Sequence, residues 1–317
     1  MSVSGTVLVE RYRLVERLSG PDPVQGSLWR GVDLLAGEIP VVIRQLESQV
    51  SKQRLQRHWP VLQAILHPQI PRCGEQWELD RALWTIRDWQ EGVSYAQLFQ
   101  QREQRQMLFG PGEVLLLLRQ LLPVLAVVHG RGLVHGDVNP RNLLRRSADG
   151  LPVLLDFGLV QAEGDDPLAE ATPGYAPRAQ GRGEACAAWM DLHGLGVSSL
   201  VLLTGQPPQQ LMSPAGDSWC WPEQLELTAD FKEVLQRLLS EDPQRRFSDA
   251  ASALAALKSV PMPEQSGPLA RADRTVPLAP QAMAVAEPVL PASAPAATPS
   301  RRLTRMEERE LGAEGRL

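Results

Sequence analysis

Apolar and polar positions alternate with a period of two along the first part of the chain. "YRLVERL" (residues 12–18), "SLWRGVD" (27–33) and "VVIRQL" (41–46) each set apolar side chains on one side, and the Gly- and Pro-bearing "SGPDPVQG" and "AGEIP" separate them. That pattern predicts an antiparallel meander of short strands. "SKQRLQRHWPVLQAILHP" (51–68) has helical spacing but carries Pro60. A proline there predicts either a kink or a helix that starts at Pro60 and leaves His58 outside. Two further strands are expected around "ELDRALWTIRDW" (78–89).

After Gly92 the period changes. "PGEVLLLLRQLLPVLAVVHGRG" (111–132) repeats apolar residues at helical spacing and ends in glycine, a helix with its stop signal. "VLLDFG" (153–158) contains a short buried strand, and "DLHGLGVSSLVLLTG" (191–205) is apolar nearly all round, as a core helix is. Residues 228–258 read as two or three amphipathic helices. From about Pro261 the chain turns Pro- and Ala-rich without aromatics, and such a segment buries too little to offset its ordering entropy. The organisation expected is therefore a strand-rich lobe at 1–90, a helical lobe at 91–259 and a disordered tail at 260–317, its last residues a candidate for a short helix.

The 317 residues suffice for a two-lobed unit with a large core. The formal charge of -5 offers no basic excess, so neither a nucleic acid nor an anionic membrane is expected as partner. Three widely spaced cysteines, without a C-x-x-C, fit a reducing compartment rather than a disulfide frame. The charged start does not read as a signal peptide and no uninterrupted apolar run reaches about 18 residues, so the expected location is cytoplasmic. Only three of the 32 basic residues are lysines, so arginine stands almost wherever a cation is needed.

The stretch "LVHGDVNPRNLL" (133–144) is followed by "DFG" (156–158), "ATPGYAP" (171–177), "DLHGLG" (191–196) and "DPQRRF" (242–247). In that order and at those separations, from residue 12 to residue 258, the chain resembles the eukaryotic-type Ser/Thr protein kinases. The resemblance implies an α+β, two-lobed fold: an N-terminal antiparallel sheet lobe with one helix, and a larger, mostly helical C-terminal lobe. It implies ATP and Mg²⁺ as cofactors and a protein substrate or a regulatory protein as partner, and leaves the oligomeric state open. Phosphoryl transfer needs charge neutralised on the phosphates and a carboxylate near the attacking hydroxyl. By resemblance Asp137 takes the hydroxyl proton, Asn142 and Asp156 hold the metal, and Gly26, Arg44, Asp88 and Trp89 contact the nucleotide. Oxygen ligands suit a hard cation, although Asp and Asn equally cap turns. Asp191 is expected to brace the catalytic-loop backbone, and His135 and Phe157 to stack with Leu62 in the core.

Several positions depart from that family's pattern. The phosphate-covering glycine loop is replaced by Pro21-Asp22-Pro23-Val24-Gln25-Gly26, where prolines remove donors and Asp22 adds a negative charge. Arg44 stands for the usual lysine, which is not a neutral exchange, and His58 stands for its glutamate, leaving Glu47 as a distant substitute. Asn139 replaces the loop lysine, and Arg141 is a candidate third catalytic residue on the γ-phosphate. Arg87 precedes the hinge, where it would obstruct an adenine pocket if it pointed inward. Ala179 leaves Arg246 to find another acid, such as Glu184, or solvent. The expected function is thus an attenuated ATP-dependent Ser/Thr protein kinase. The alternatives are a pseudokinase acting as a nucleotide-binding or scaffold module, and a small-molecule phosphotransferase, whose "HGD" spelling Gly136 shares.

Gly136 also removes the arginine that grips a phosphorylated activation loop, and residues 159–171 contain no Ser, Thr or Tyr. A switch that brings new charge to an arginine lacks both halves. Phosphosite mapping of protein purified from its host is expected to find no site between 159 and 171.

Overall fold

The computed structural model describes residues 4–166, 172–213, 218–222, 225–263, 267 and 269–270. Strands β1 (Val7–Leu8), β2 (Tyr12–Ser19), β3 (Ser27–Asp33), β4 (Ile39–Leu46), β5 (Cys73–Leu79) and β6 (Ala82–Asp88) form one antiparallel sheet in the order β1-β2-β3-β4-β6-β5. The alternation in the sequence sets its register. Leu14, Trp29, Val41 and Ile43 are buried on one face with Trp84 and Ile86. β3 and β4 pair from Ser27↔Gln45 to Asp33↔Ile39, which aims Val42 and Arg44 to the other face.

Helix α1 (Gln49–Gln63) packs on the sheet, with the Ser48 side chain accepting from the Ser51 amide as N-cap. It runs through Pro60, so His58 lies inside the helix and Pro60 does not start it. Proline leaves the Gln56 carbonyl without its intrahelical donor. Burial of Leu55, Trp59 and Leu62 offsets that loss, and the Trp59 indole donates to the Gly74 carbonyl at 3.0 Å, fixing the last turn to β5.

The second lobe begins with β7 (Gly92–Ser94), α2 (Tyr95–Gln104), β8 (Met107–Leu108) and α3 (Pro111–His129). α3 is long and apolar enough to cross a membrane by length and composition, but here it is a core helix packed on α5 (Ala188–Thr204) and α8 (Ala250–Lys258). All residues of α5 are buried. Between α3 and α5 lie β9 (Leu133–Val134), β10 (Leu143–Arg146), β11 (Pro152–Leu154), β12 (Gln161–Ala162) and the short α4 (Arg178–Gly181). β10 pairs with β11 and β7, and β9 with β12, so two small ladders hold the loops at the cleft floor. α6 (Pro208–Leu211) and α7 (Ala229–Leu239) complete the lobe. β13 (Leu269–Ala270) pairs with β8, inside the stretch whose composition reads as disorder. The remainder of that tail, from 271, lies outside the described residues.

Arg246 is half-buried and does not pair with Glu184. Its guanidinium carbon lies 3.9 Å from the Trp189 ring centroid, and Nη1 donates to the Glu241 carbonyl at 3.1 Å, whereas Glu184 accepts from Arg182. A cation–π contact thus stands in for the expected ion pair.

Trp59 fills the space between helix and sheet, so Trp59→Ala is expected to lower the unfolding free energy by about 3–5 kcal/mol, read as a shift in urea midpoint.

Candidate active site

The loop after β9 is held from below. Asp191, in the first turn of α5, accepts from the His135 amide at 2.8 Å, the Gly136 amide at 2.9 Å and His129 Nε2 at 2.9 Å. Burial pushes this carboxyl up, but the hydrogen bond from His129 and the neighbouring imidazole charge outweigh it, and the net shift is downward. The His135 ring is fixed between the Leu155 carbonyl (2.7 Å from Nε2) and the Asp137 amide (3.2 Å from Nδ1), edge-on to Phe157 at 4.8 Å between centroids. It is a positioning residue.

Gly136 has φ of 80°, and a Cβ there would sit 2.7 Å from the Leu159 carbonyl oxygen. An arginine at this place would be strained in backbone and crowded in space. The glycine therefore belongs to the shape of the loop, beyond marking a lost phosphate-binding cation.

Asp137 is buried and both its oxygens are engaged. Oδ1 accepts from Thr172 Oγ1 at 2.6 Å and Asn139 Nδ2 at 2.9 Å, and Oδ2 accepts from Asn142 Nδ2 at 2.8 Å. Asn142 Nδ2 also donates to the Asp137 carbonyl at 2.9 Å. Asn139 is 1% exposed; its amide reaches Thr172 Oγ1 at 3.1 Å and its carbonyl accepts from the Arg141 amide at 2.9 Å. It is an interior bracket and points to no phosphate position. The Arg141 side chain is exposed and lines the cleft mouth.

Asp156 has φ of 59° and ψ of 80°, which turns its carboxylate toward β4 and β6. Oδ1 accepts from the Gly158 amide at 3.1 Å and from Arg44, and Arg87 Nη2 approaches it to 3.8 Å. Burial would raise this carboxyl; the Arg44 and Arg87 charges overcome that and hold it at about 2. Burial is also the largest influence on Arg87 and lowers its guanidinium pKa, against the pull of Asp156. Arg87 thus points toward Asp156 from the inner end of the cleft. Glu47 is exposed and accepts from Gln45 at 3.2 Å, so it does not substitute for the missing glutamate; Asp156 is the acid of Arg44. His58 is buried, 3.8 Å from Asp165, and burial lowers its pKa.

The turn over the cleft is closed on itself. Asp22 Oδ1 accepts from the Val24 amide at 2.8 Å and the Gln25 amide at 2.7 Å, and the Gly26 amide donates to the Asp22 carbonyl at 2.9 Å. Arg44 donates to the Gln25 carbonyl and ties this turn to Asp156. Gly26 has φ of 72°, and a Cβ would fall 2.0 Å from the Gln45 carbonyl, so strand packing demands glycine there. Its amide faces the turn. Asp88 is exposed, with its amide donating to the Arg72 carbonyl at 3.0 Å; the Trp89 indole donates to Glu91 at 2.8 Å. Both line a cleft of about 600 Å³, walled by Leu18 and Val42 on one side and Leu144 on the other.

A divalent cation needs several free oxygen ligands. Asp156 Oδ1 is taken by a guanidinium and an amide, and a second guanidinium stands beside it, so a divalent cation bound there would face two like charges. Among the described residues no group of three or more His, Cys, Asp or Glu side chains is arranged to hold a metal. In this arrangement the residues do not fit a magnesium ion.

A loop braced by a buried aspartate, a carboxylate bonded to a hydroxyl and a cleft between a curled sheet and a helical lobe agree with the comparisons. Residues 38–259 match the family described as "Protein kinase domain". The chain belongs to the protein kinase domain family. It is 30% identical over 280 residues to "Serine/threonine-protein kinase PknA" of Nostoc sp., covering 80% of this chain and 48% of that one. It is 28% identical over 258 residues to "Serine/threonine-protein kinase B" of Synechocystis sp., covering 74% of this chain and 44% of the relative. The chain thus spans about half the length of these relatives. The crystal structure of the Mycobacterium tuberculosis PknI kinase domain superimposes with a TM-score of 0.61 at 24% identity, over 81% of this chain and 99% of that domain, and bears out the two-lobed kinase fold. Spacing in the sequence pointed to Asp137, Asn142, Asp156 and Asp191; Asn142 bonds to Asp137 and Asp191 braces their loop, whereas Asp156 faces Arg44 and Arg87. The spacing missed Arg54, which donates from α1 to the Gly158 carbonyl at 2.7 Å, and the direction of Arg87.

The depressed Asp156 carboxyl stabilises the fold above the ordinary carboxylate pKa, and that contribution is lost as pH falls toward 2. Asp156→Asn is therefore expected to be less stable than wild type at pH 5, with the gap narrowing toward pH 2, as read by urea titration at each pH.

Proposed function

We propose that this kinase domain transfers the γ-phosphoryl group of ATP to a Ser or Thr hydroxyl of a protein, slowly. The observation that carries this reading is the 2.6 Å hydrogen bond from Thr172 Oγ1 to Asp137 Oδ1. The carboxylate already holds a hydroxyl of the chemical class it would have to orient. In the reaction a substrate hydroxyl would take that place. Its oxygen attacks the γ-phosphorus, the bond to the departing ADP oxygen breaks, and the hydroxyl proton passes to Asp137. Asn139 and Asn142 hold the carboxylate in position throughout. The apolar walls from Leu18, Val42 and Leu144 would take the planar base, and Asp88 and Trp89 its edge. Arg44, and Arg141 at the mouth, would meet the phosphates.

The rate is set by what is missing. The turn amides of Val24 and Gln25 are spent on Asp22, and the β4 cation lacks its helix acid. Each lost charge-stabilising contact costs about 10²–10³ in rate. From about 1–100 s⁻¹ for kinases, two such losses leave roughly 10⁻⁶–10⁻² s⁻¹. A second reading, a nucleotide-binding scaffold without transfer, is favoured by the Arg44–Asp156 pair, which closes the cleft floor.

Label transfer from γ-labelled ATP to a mixed protein substrate separates the two. Wild type is expected to incorporate label slowly and Asp137→Asn at least tenfold less; equal incorporation by both would leave only the scaffold.

A further inference from the structure

Arg87 is 6% exposed, on β6 opposite Val42 of β4. Its guanidinium lines the cleft, and among the described residues no acceptor hydrogen-bonds it. Its nearest anion, Asp156 Oδ1, stands at 3.8 Å and already accepts from Arg44. Two buried cations therefore share one carboxylate. Among the described residues Asp137 forms no ion pair with either arginine; its oxygens accept from Thr172, Asn139 and Asn142. A buried guanidinium with unused donors is costly unless an anion completes it. A divalent cation at Asp156 would add like charge beside both arginines, whereas a phosphate chain would neutralise them, and guanidinium forks suit phosphate oxygens.

We propose that the cleft binds a nucleoside triphosphate as the metal-free polyanion, with Arg87 and Arg44 standing where a divalent ion would otherwise neutralise the phosphates. The proposal rests on the nucleotide reading of the cleft and adds to it the form of the ligand and a ligand residue, Arg87. It holds whether or not transfer follows. The excess cation is built into the fold, so metal bound to the nucleotide in solution competes with the arginines.

The test is titration calorimetry of the full chain with ATP, once in EDTA and once in millimolar Mg²⁺ at equal ionic strength. Because most of the ATP is complexed in millimolar Mg²⁺, apparent binding there is expected to be at least fivefold weaker than in EDTA. Arg87→Met, which keeps the stem and removes the charge, is expected to weaken binding in EDTA at least tenfold. Arg87→Lys, which keeps a charge, is expected to retain part of that affinity, and thermal melts of both variants report whether they are folded. Binding within fivefold of that in EDTA, or tighter, in the Mg²⁺ buffer would overturn the proposal and leave the nucleotide reading standing. So would a folded Arg87→Met that binds as wild type does. No heat of binding in either buffer would overturn both.

Discussion

The catalytic loop depends on one buried carboxylate. Asp191 is sunk in the first turn of an all-buried helix, and it accepts two consecutive loop amides and a histidine. A buried charge is tolerated only when its lone pairs are filled, so the loop is as necessary to Asp191 as Asp191 is to the loop. That mutual need fixes the left-handed turn at Gly136. It leaves the next residue, Asp137, facing Thr172 and the two asparagines. Everything the cleft can do starts from a carboxylate held this firmly.

A second carboxylate sets the character of the cleft. In Asp156 the cost of burial and the pull of two arginines oppose each other, and the arginines win. The pair links the closed turn above, through the Gln25 carbonyl, to the loop below. Arg54 adds a tie from α1 to the Gly158 carbonyl. The strand lobe and the helical lobe are thus joined by guanidinium contacts, where the family's pattern would place a lysine, a glutamate and a metal. The chain's preference for arginine over lysine acquires a structural meaning at this point: the fork meets the turn with one nitrogen and the aspartate with the other.

Much of this was legible beforehand. Alternation across 27–33 and 41–46 foretold the sheet, and the spacing from Asp137 to Asn142 brought out two residues that hydrogen-bond in the loop. What was illegible depended on neighbours remote in sequence. Pro60 left open a kinked helix or one that begins there, and Trp59 and Leu62 bury enough to carry the helix through it. Gly136 read as the loss of an arginine, and only the Leu159 carbonyl reveals why glycine is required. Asp22 read as a charge repelling phosphate, whereas its carboxylate is turned inward onto two amides. The acid of Arg44 lies 112 positions away, beyond any local pattern.

The inward-turned Asp22 has a thermodynamic corollary. A flexible glycine flap is ordered by its ligand, and the lost chain entropy is then charged against affinity. Here the flap is pre-set by its own side chain and two prolines, so that entropy was given up when the chain folded. The lid of this cleft behaves as a fixed cornice: it neither closes over a guest nor rewards one for arriving. Recognition is left to the rigid walls and the arginines at the floor.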